Sequence, residues 1–195
     1  MINRIRQYDW KKYNFSLLCV VVILCILGLY CVRMAGGTTK GASLMKGQLV
    51  GLILGLIIVA IVSVIDYHFI CQFCIVYYIA GILLTLAVHT PLGTDNKTGT
   101  YRWIELGPIT FQPTELMKII LIITLAALFS KLHSKLDKVS TLVKVCVVSA
   151  IPVLAILTQP DLSSSLVGVF IMCVMIFIGG VSYRIIVPIL IAAVP

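Results

Sequence analysis

The residues that first suggest chemistry are seven cysteines and three histidines in a chain of 195 residues. Cys71 and Cys74 stand as CxxC, the spacing of a redox dithiol or of half a zinc site. A thioredoxin-like site needs that motif after a strand of a soluble sheet, and zinc needs a second ligand pair. The sequence offers neither context. Cys19, Cys25, Cys31, Cys146 and Cys173 fall inside or at the ends of apolar runs, where a thiol behaves as a small apolar group. No metal and no cofactor are expected. A second set carries more information: Arg102, Glu105, Glu115 and Lys118 in one polar run, and Asp161 in another.

Glu115 and Lys118 are spaced i, i+3 and share one helical face. Lys118 is followed at once by the apolar run IILIITLAAL. An ammonium at that depth needs a carboxylate, water or a polar cavity. One reading has Lys118 snorkelling outward, with Glu115 an ordinary first-turn residue. The other has both lining a charged outer-leaflet cavity that binds an anionic or polar headgroup. Arg102 and Glu105, three apart, can pair. In the second run, LTQPDLSSSL, Pro160 restricts Gln159 to extended geometry. Asp161 can then cap the following helix, or help organise Arg102 or Lys118. Ser163, Ser164 and Ser165 can bond back into that helix or across to a neighbour.

The elements that must position these groups follow from composition. Hydrophobic residues make up 61% of the chain and charged residues 11%; soluble domains run nearer half and a quarter. So few charges cannot cover a soluble fold of this size. The same numbers exclude disorder, a coiled coil and a disulfide-stapled scaffold, and the bilayer is the solvent that suits the chain. The net charge of +8 sits mostly in short Lys/Arg runs between apolar segments, a pattern of orientation charge and lipid-headgroup contact. Nucleic-acid binding is not expected.

Apolar spans are expected at about Phe15–Val32, Gly47–Ile65, Phe73–His89, Thr114–Phe129, Leu142–Leu157 and Leu162–Val181. A seventh begins near Ile185 and reaches Pro195, about half a crossing at 1.5 Å per residue. The expected fold is therefore an all-α polytopic membrane protein with about six complete transmembrane helices plus a truncated seventh, the front part of a longer protein. Spans 4 and 5 are short and either tilt little, meet thinner bilayer, or extend past Pro113 and Thr158. With the N-terminus cytoplasmic, nine Lys/Arg fall in inner loops against five in outer ones. Residues 1–195 are read as one transmembrane domain, with 90–113 an outer loop leading into span 4.

Local signals refine this. Pro113 sits at an N1-like place, with Gln112 or Thr110 near to cap. Tyr101 and Trp103 suit the headgroup layer. Asp66, Tyr67 and His68 read as a tight inner turn with His68 at the interface. Gly47, Gly51 and Gly55 form a GxxxGxxxG ridge on span 2, either a close-packing face or the ordinary glycine richness of membrane helices. Pro152 kinks span 5 or leaves its carbonyls free for a neighbour.

The runs RWIELGPITFQPTELMK (Arg102–Lys118) and QPDL (Gln159–Leu162) resemble the SEDS family, the shape, elongation, division and sporulation proteins, with the rod-shape branch nearest. Arg102, Trp103, Gly107, Gln112, Pro113, Glu115 and Lys118 match the first motif, and Gln159, Pro160, Asp161 and Leu162 the second. Gln48 is similar too. Thr100 and Ser163-Ser164-Ser165 depart from it, where the family carries Ala and Gly-Thr-Ala. The resemblance implies a peptidoglycan glycosyltransferase in the bacterial inner membrane that polymerises lipid II beside a class B penicillin-binding protein. Membrane lipids are further expected partners. It implies that Arg102, Glu115, Lys118 and Asp161 line or support the substrate cavity. The family's proposed acid or base is an aspartate in the outer loop after span 7, so this chain is expected to be inactive alone, and Asp161 does not replace that group. A lipid-precursor flippase or transporter, which needs a polar path through the bilayer, and a non-catalytic scaffold docking through the span 2 glycines are the other readings.

Overall fold

A computed structural model of the chain describes residues 13–94, 99, 101–106, 109–133, 138–159 and 161–181, without the side chains of 38–40, 42, 43, 106 and 109. The expected seventh span, Thr100, Gly107, Pro160 and the basic residues Arg4, Arg6, Lys11 and Lys12 lie outside the described residues. The chain divides into two compact units, Met1–Tyr67 and His68–Pro195.

In the first unit, α1 (Phe15–Ala35) opens on Asn14, whose side-chain oxygen accepts from the Leu17 amide at 3.0 Å. That cap satisfies one of the donors every helix start leaves open. Arg33 sits in the last turn, where the helix dipole favours a cation. The chain then reverses almost at once into α2 (Gly37–Val64). Gly37 takes φ 64°, a left-handed value, and a Cβ on Gly41 would collide with the Arg33 carbonyl oxygen. These glycines make the reversal so tight that α2 starts ten residues before the expected Gly47. At 28 residues α2 is about 42 Å long, more than the roughly 30 Å hydrocarbon core. Its polar first turns extend the helix, and the apolar stretch is Leu44–Val64.

The second unit begins with α3 (Tyr67–Gln72, its first residue shared with the first unit), where the sequence suggested only a turn. The chain breaks at Phe73 and continues as α4 (Cys74–Leu86), closed by a 3-10 turn over Ala87–His89. The expected outer loop then carries a small antiparallel sheet: β1 (Gly93–Thr94), β2 (Trp103–Leu106) and β3 (Ile109–Phe111), in that spatial order. Thr94 pairs with Trp103, and Ile104 and Glu105 pair with Phe111 and Thr110. The sequence reads as a loop here and does not mark the strands. Yet Trp103, Ile104, Thr110 and Phe111 are strand-favouring types, and Ile104 is buried while Glu105 is exposed, the two-residue alternation of a half-buried sheet.

Three further helices follow: α5 (Pro113–Leu132), α6 (Val139–Leu157) and α7 (Leu162–Ile178). α5 and α6 begin at or before the expected starts, and α5 runs three residues longer, so neither span is short. α4 packs chiefly on α5 and α6 on α7, with α5 also touching α6 and α7. Leu121, Leu125 and Phe129 of α5, Leu142 and Val145 of α6, and Ile176 of α7 meet in the core. The six expected spans thus correspond to α1, α2, α4, α5, α6 and α7. Phe15–Ala35, Leu44–Val64 and Val139–Leu157 are long and apolar enough to cross a membrane, and Cys74–His89 and Leu162–Ile178 are shorter apolar helices. The protein is an all-α polytopic membrane protein with a small sheet in its second unit.

Candidate functional site around Asp161

Asp161 is the N-cap of α7 and is almost fully buried, at 3% exposure. Taking a carboxylate out of water costs several kcal/mol unless it is paired and hydrogen-bonded. Here its oxygens accept from the Ser163 hydroxyl at 2.9 Å, the Ser164 hydroxyl at 2.7 Å and the Ser164 amide at 3.1 Å. Gln112 Nε2 donates at 3.5 Å and Arg102 Nη1 lies 3.9 Å away. Ser165 closes the turn by donating to the Asp161 carbonyl at 2.9 Å. Burial pushes the Asp161 carboxyl up, but the Ser164 hydroxyl and amide, the Ser163 hydroxyl and the Arg102 guanidinium together hold it below its ordinary value.

Capping and the organising of Arg102 are therefore not alternatives: the same carboxylate does both. Among the described residues Lys118 does not join it. Its Nζ donates to Glu115 at 2.8 Å, the i, i+3 pair expected from spacing. The ammonium is the better buried partner, at 18% against 59% for Glu115. Lys118 thus has the carboxylate that its depth demands.

Two glutamines complete the centre, and neither was singled out as a site residue. Pro113 is at the start of α5 and Gln112 at its N-cap, as expected, but the Gln112 side chain does not cap. It turns to Asp161 instead, tying the start of α5 to the start of α7. Gln159, buried to 1%, donates to the Thr85 carbonyl at 2.7 Å and so ties the α6–α7 turn to α4. His89 and Thr158 meet beside it at 2.9 Å. The available signal was a glutamine directly ahead of a proline at the end of an apolar span, since a buried amide must find partners. Pro152 leaves the Val148 carbonyl without its helical donor, and Tyr78 Oη fills the place at 2.6 Å. The glycine ridge behaves otherwise. Gly51 and Gly55 line an open groove against Gly28 of α1, and a Cβ on Gly47, Gly51 or Gly55 would meet nothing within 4 Å.

The two sequence motifs, 102–118 and 159–162, are thus joined at one end of the α4–α7 bundle. Residues 10–195 match the family model described as cell cycle protein, of the FtsW/RodA/SpoVE type. The chain belongs to that family. It is 29% identical over 192 residues to a probable peptidoglycan glycosyltransferase FtsW of Geobacter sulfurreducens, covering 95% of this chain and 52% of the relative. It is 29% identical over 182 residues to the peptidoglycan glycosyltransferase RodA of Treponema pallidum, covering 90% and 41%. The chain spans about half the length of the curated relatives it matches. Among solved structures it resembles a chain of a peptidoglycan synthase complex, with a TM-score of 0.79 at 28% identity over 95% of this chain and 53% of that one. It also resembles the rod shape determining protein RodA of Thermus thermophilus, with a TM-score of 0.75 at 27% identity over 95% and 60%. Family membership agrees with a membrane location for the apolar helices.

Proposed function

We propose that this chain provides the Asp161-centred part of a peptidoglycan glycosyltransferase that polymerises lipid II in the bacterial inner membrane. The reading places it beside a class B penicillin-binding protein, with the N-terminus cytoplasmic and residues 1–195 forming part of one SEDS-type domain. The Lys/Arg balance of the loops supports that orientation, and the family match through both units supports the single domain. The observation that carries the reading is the meeting of Arg102, Gln112 and Asp161, from two distant polar runs that both match the family.

Chain growth joins a sugar 4-hydroxyl oxygen to an anomeric carbon while the bond from that carbon to a lipid pyrophosphate breaks. It needs a base for the hydroxyl proton and positive charge for the leaving group. Arg102 and Lys118 supply positive potential toward that pyrophosphate. Glu115 balances Lys118, and Asp161 positions Arg102. Asp161 is not the base: its oxygens already accept from Ser163, Ser164 and Gln112, and it is held ionised. The base comes from outside the described residues.

The test is lipid II polymerisation in reconstituted membranes with a class B penicillin-binding protein. It compares the 195-residue chain with a chimera joining it to the second half of a rod-shape relative. Polymer is expected from the chimera and none from the chain alone. A folded chimera without activity sinks the enzyme reading, and polymer from the chain alone sinks the reading that the base lies elsewhere. Glu115→Ala in the chimera is expected to lower activity or folding; unchanged behaviour removes that carboxylate from the site.

A further inference from the structure

Two glutamine amides connect Asp161 to the helices around it, and they are unequal. Gln112 Nε2 donates to the carboxylate at 3.5 Å, longer than the N–H···O range of about 2.7–3.2 Å, so that tie is weak. Gln159 acts from two residues upstream, and its Nε2 donates to the Thr85 carbonyl at 2.7 Å. Thr85 lies in the last turn of α4, where carbonyls run out of helical donors. Its own hydroxyl turns back to the Gly81 carbonyl at 2.8 Å, which leaves the Thr85 carbonyl to Gln159. One turn further down α4, Gly81 lets the helix close on Met117 and Ile120, in the turn of α5 that carries Lys118. A continuous path of close contacts thus runs from the turn of Lys118 through Gly81 and Thr85 to Gln159. Two residues of chain then carry it to Asp161 and so to Arg102.

Stability alone does not account for a glutamine at this place. Gln159 is almost fully buried, and its Oε1 has no hydrogen-bond partner among the described residues. A buried oxygen without a donor costs at least as much as one hydrogen bond returns. Methionine is of nearly the same length, adapts to such a place and has no oxygen to desolvate. What methionine lacks is a directed amide that fixes the distance to the Thr85 carbonyl.

We infer that Gln159 is a positioning residue: its amide fixes the height of Asp161 against α4, and so sets the separation of Arg102 from Lys118. The placement itself does not require the enzymatic reading. Its consequence for activity rests on the proposed function, in which those two cations face a departing pyrophosphate.

Gln159→Met tests it in two preparations. In the 195-residue chain reconstituted into phosphatidylcholine nanodiscs, hydrogen exchange reads the Ser164 amide, which donates to Asp161 at 3.1 Å. Exchange across Leu162–Leu166 is expected to quicken several-fold, while amides around Leu125 in the core of α5 keep their rate. The melting temperature is expected to fall much less than in Asp161→Ala, because the unpartnered Oε1 goes as the Thr85 bond is lost. Unchanged exchange overturns the positioning role. So does a quickening shared by the whole bundle, which marks a general loss of stability. In the chimera with the rod-shape relative, Gln159→Met is expected to lower kcat about tenfold or more with KM little changed. The charge that develops on the leaving group is what needs both cations at their set separation. An unchanged kcat in an active chimera overturns the inference. An inactive parent chimera sinks the proposed function, and the exchange result then decides the inference by itself. If Gln159→Met does not fold, Gln159→Leu removes the same amide and is read in the same way.

Discussion

The two units solve the same problem with opposite means. The α1–α2 unit buries no part of its membrane-spanning stretches, and its glycines Gly28, Gly51 and Gly55 face a groove of about 450 Å³. The α4–α7 bundle fills the space its glycines leave. A Cβ on Gly81 would meet Met117 Sδ at 2.8 Å and Ile120 Cδ1 at 2.9 Å, and one on Gly168 would meet Val153 Cγ2 at 2.9 Å. Buried side chains that make hydrogen bonds also gather in the bundle: Thr85, Gln159, Asp161, Ser164 and Ser165. In lipid, apolar side chains gain little by leaving their surroundings, so close packing and hydrogen bonds must hold helices together. The bundle has both, which is why the chemistry-bearing groups can be held there and not in the first unit.

The sharpest way to break that contrast is to remove its centre. Asp161→Ala takes away the α7 cap and the acceptor of Ser163, Ser164, Gln112 and Arg102. A lost cap costs about 1 kcal/mol, and stranded buried donors cost about 1–3 more. A loss of roughly 2–4 kcal/mol is expected in detergent unfolding. No polar substitution in the described spans of the first unit is expected to approach it, and a loss below about 0.5 kcal/mol leaves the centre without structural weight.

The same carboxylate predicts an acid limb. Its folded pKa is lowered, so its contribution is fully present above the ordinary carboxylate value of about 3.9. The contribution fades as pH falls through the lower folded value. Asp161→Asn retains the cap shape but not the charge. The gap in melting temperature between the native chain and this variant is expected to be constant near neutrality and to shrink below about pH 4. A gap that stays constant into acid shows that the charge contributes nothing.

Glycine replacements compare the units directly. Gly81→Ala must displace the Met117 and Ile120 tips, at about 1–2 kcal/mol, since both are side-chain ends that can move somewhat. Gly51→Ala meets nothing within 4 Å and gains helix propensity, so its change is expected between zero and a slight stabilisation. Equal costs at both positions erase the distinction between a filled and an open glycine face.

How much of this was legible varies with the kind of signal. Span positions came through because long apolar runs leave little choice in lipid, and Glu115–Lys118 because i, i+3 spacing fixes a shared face whatever surrounds it. The start of α2 did not, because the tight reversal depends on a left-handed Gly37 within a polar stretch that also reads as loop. The sheet of 93–111 did not, because strands of two to four residues are too short for alternation to stand out. Gln112 was placed correctly and its partner was not. A side chain at an N-cap can turn inward or outward, and only the approach of α7, set by long-range packing, decides that it reaches Asp161.

A smaller loss than that of Gly81→Ala is expected at Tyr78. Pro152 has no amide hydrogen to give to the Val148 carbonyl, and the Tyr78 hydroxyl donates to it at 2.6 Å across α4 and α6. Removing the hydroxyl in Tyr78→Phe leaves that carbonyl unserved, at about 1 kcal/mol or somewhat less for a hydrogen bond between membrane helices. Pro152→Ala restores an amide at the position that serves Val148 within α6. In that background Tyr78→Phe is expected to cost close to nothing. The coupling between the two changes, read from a double-mutant cycle of unfolding free energies, measures how far the proline, and not the tyrosine alone, creates the demand for this link. Zero coupling means that the tyrosine contributes only through the packing of its ring. The first unit offers no counterpart for such a cycle, since neither of its described helices has an internal proline to free a carbonyl.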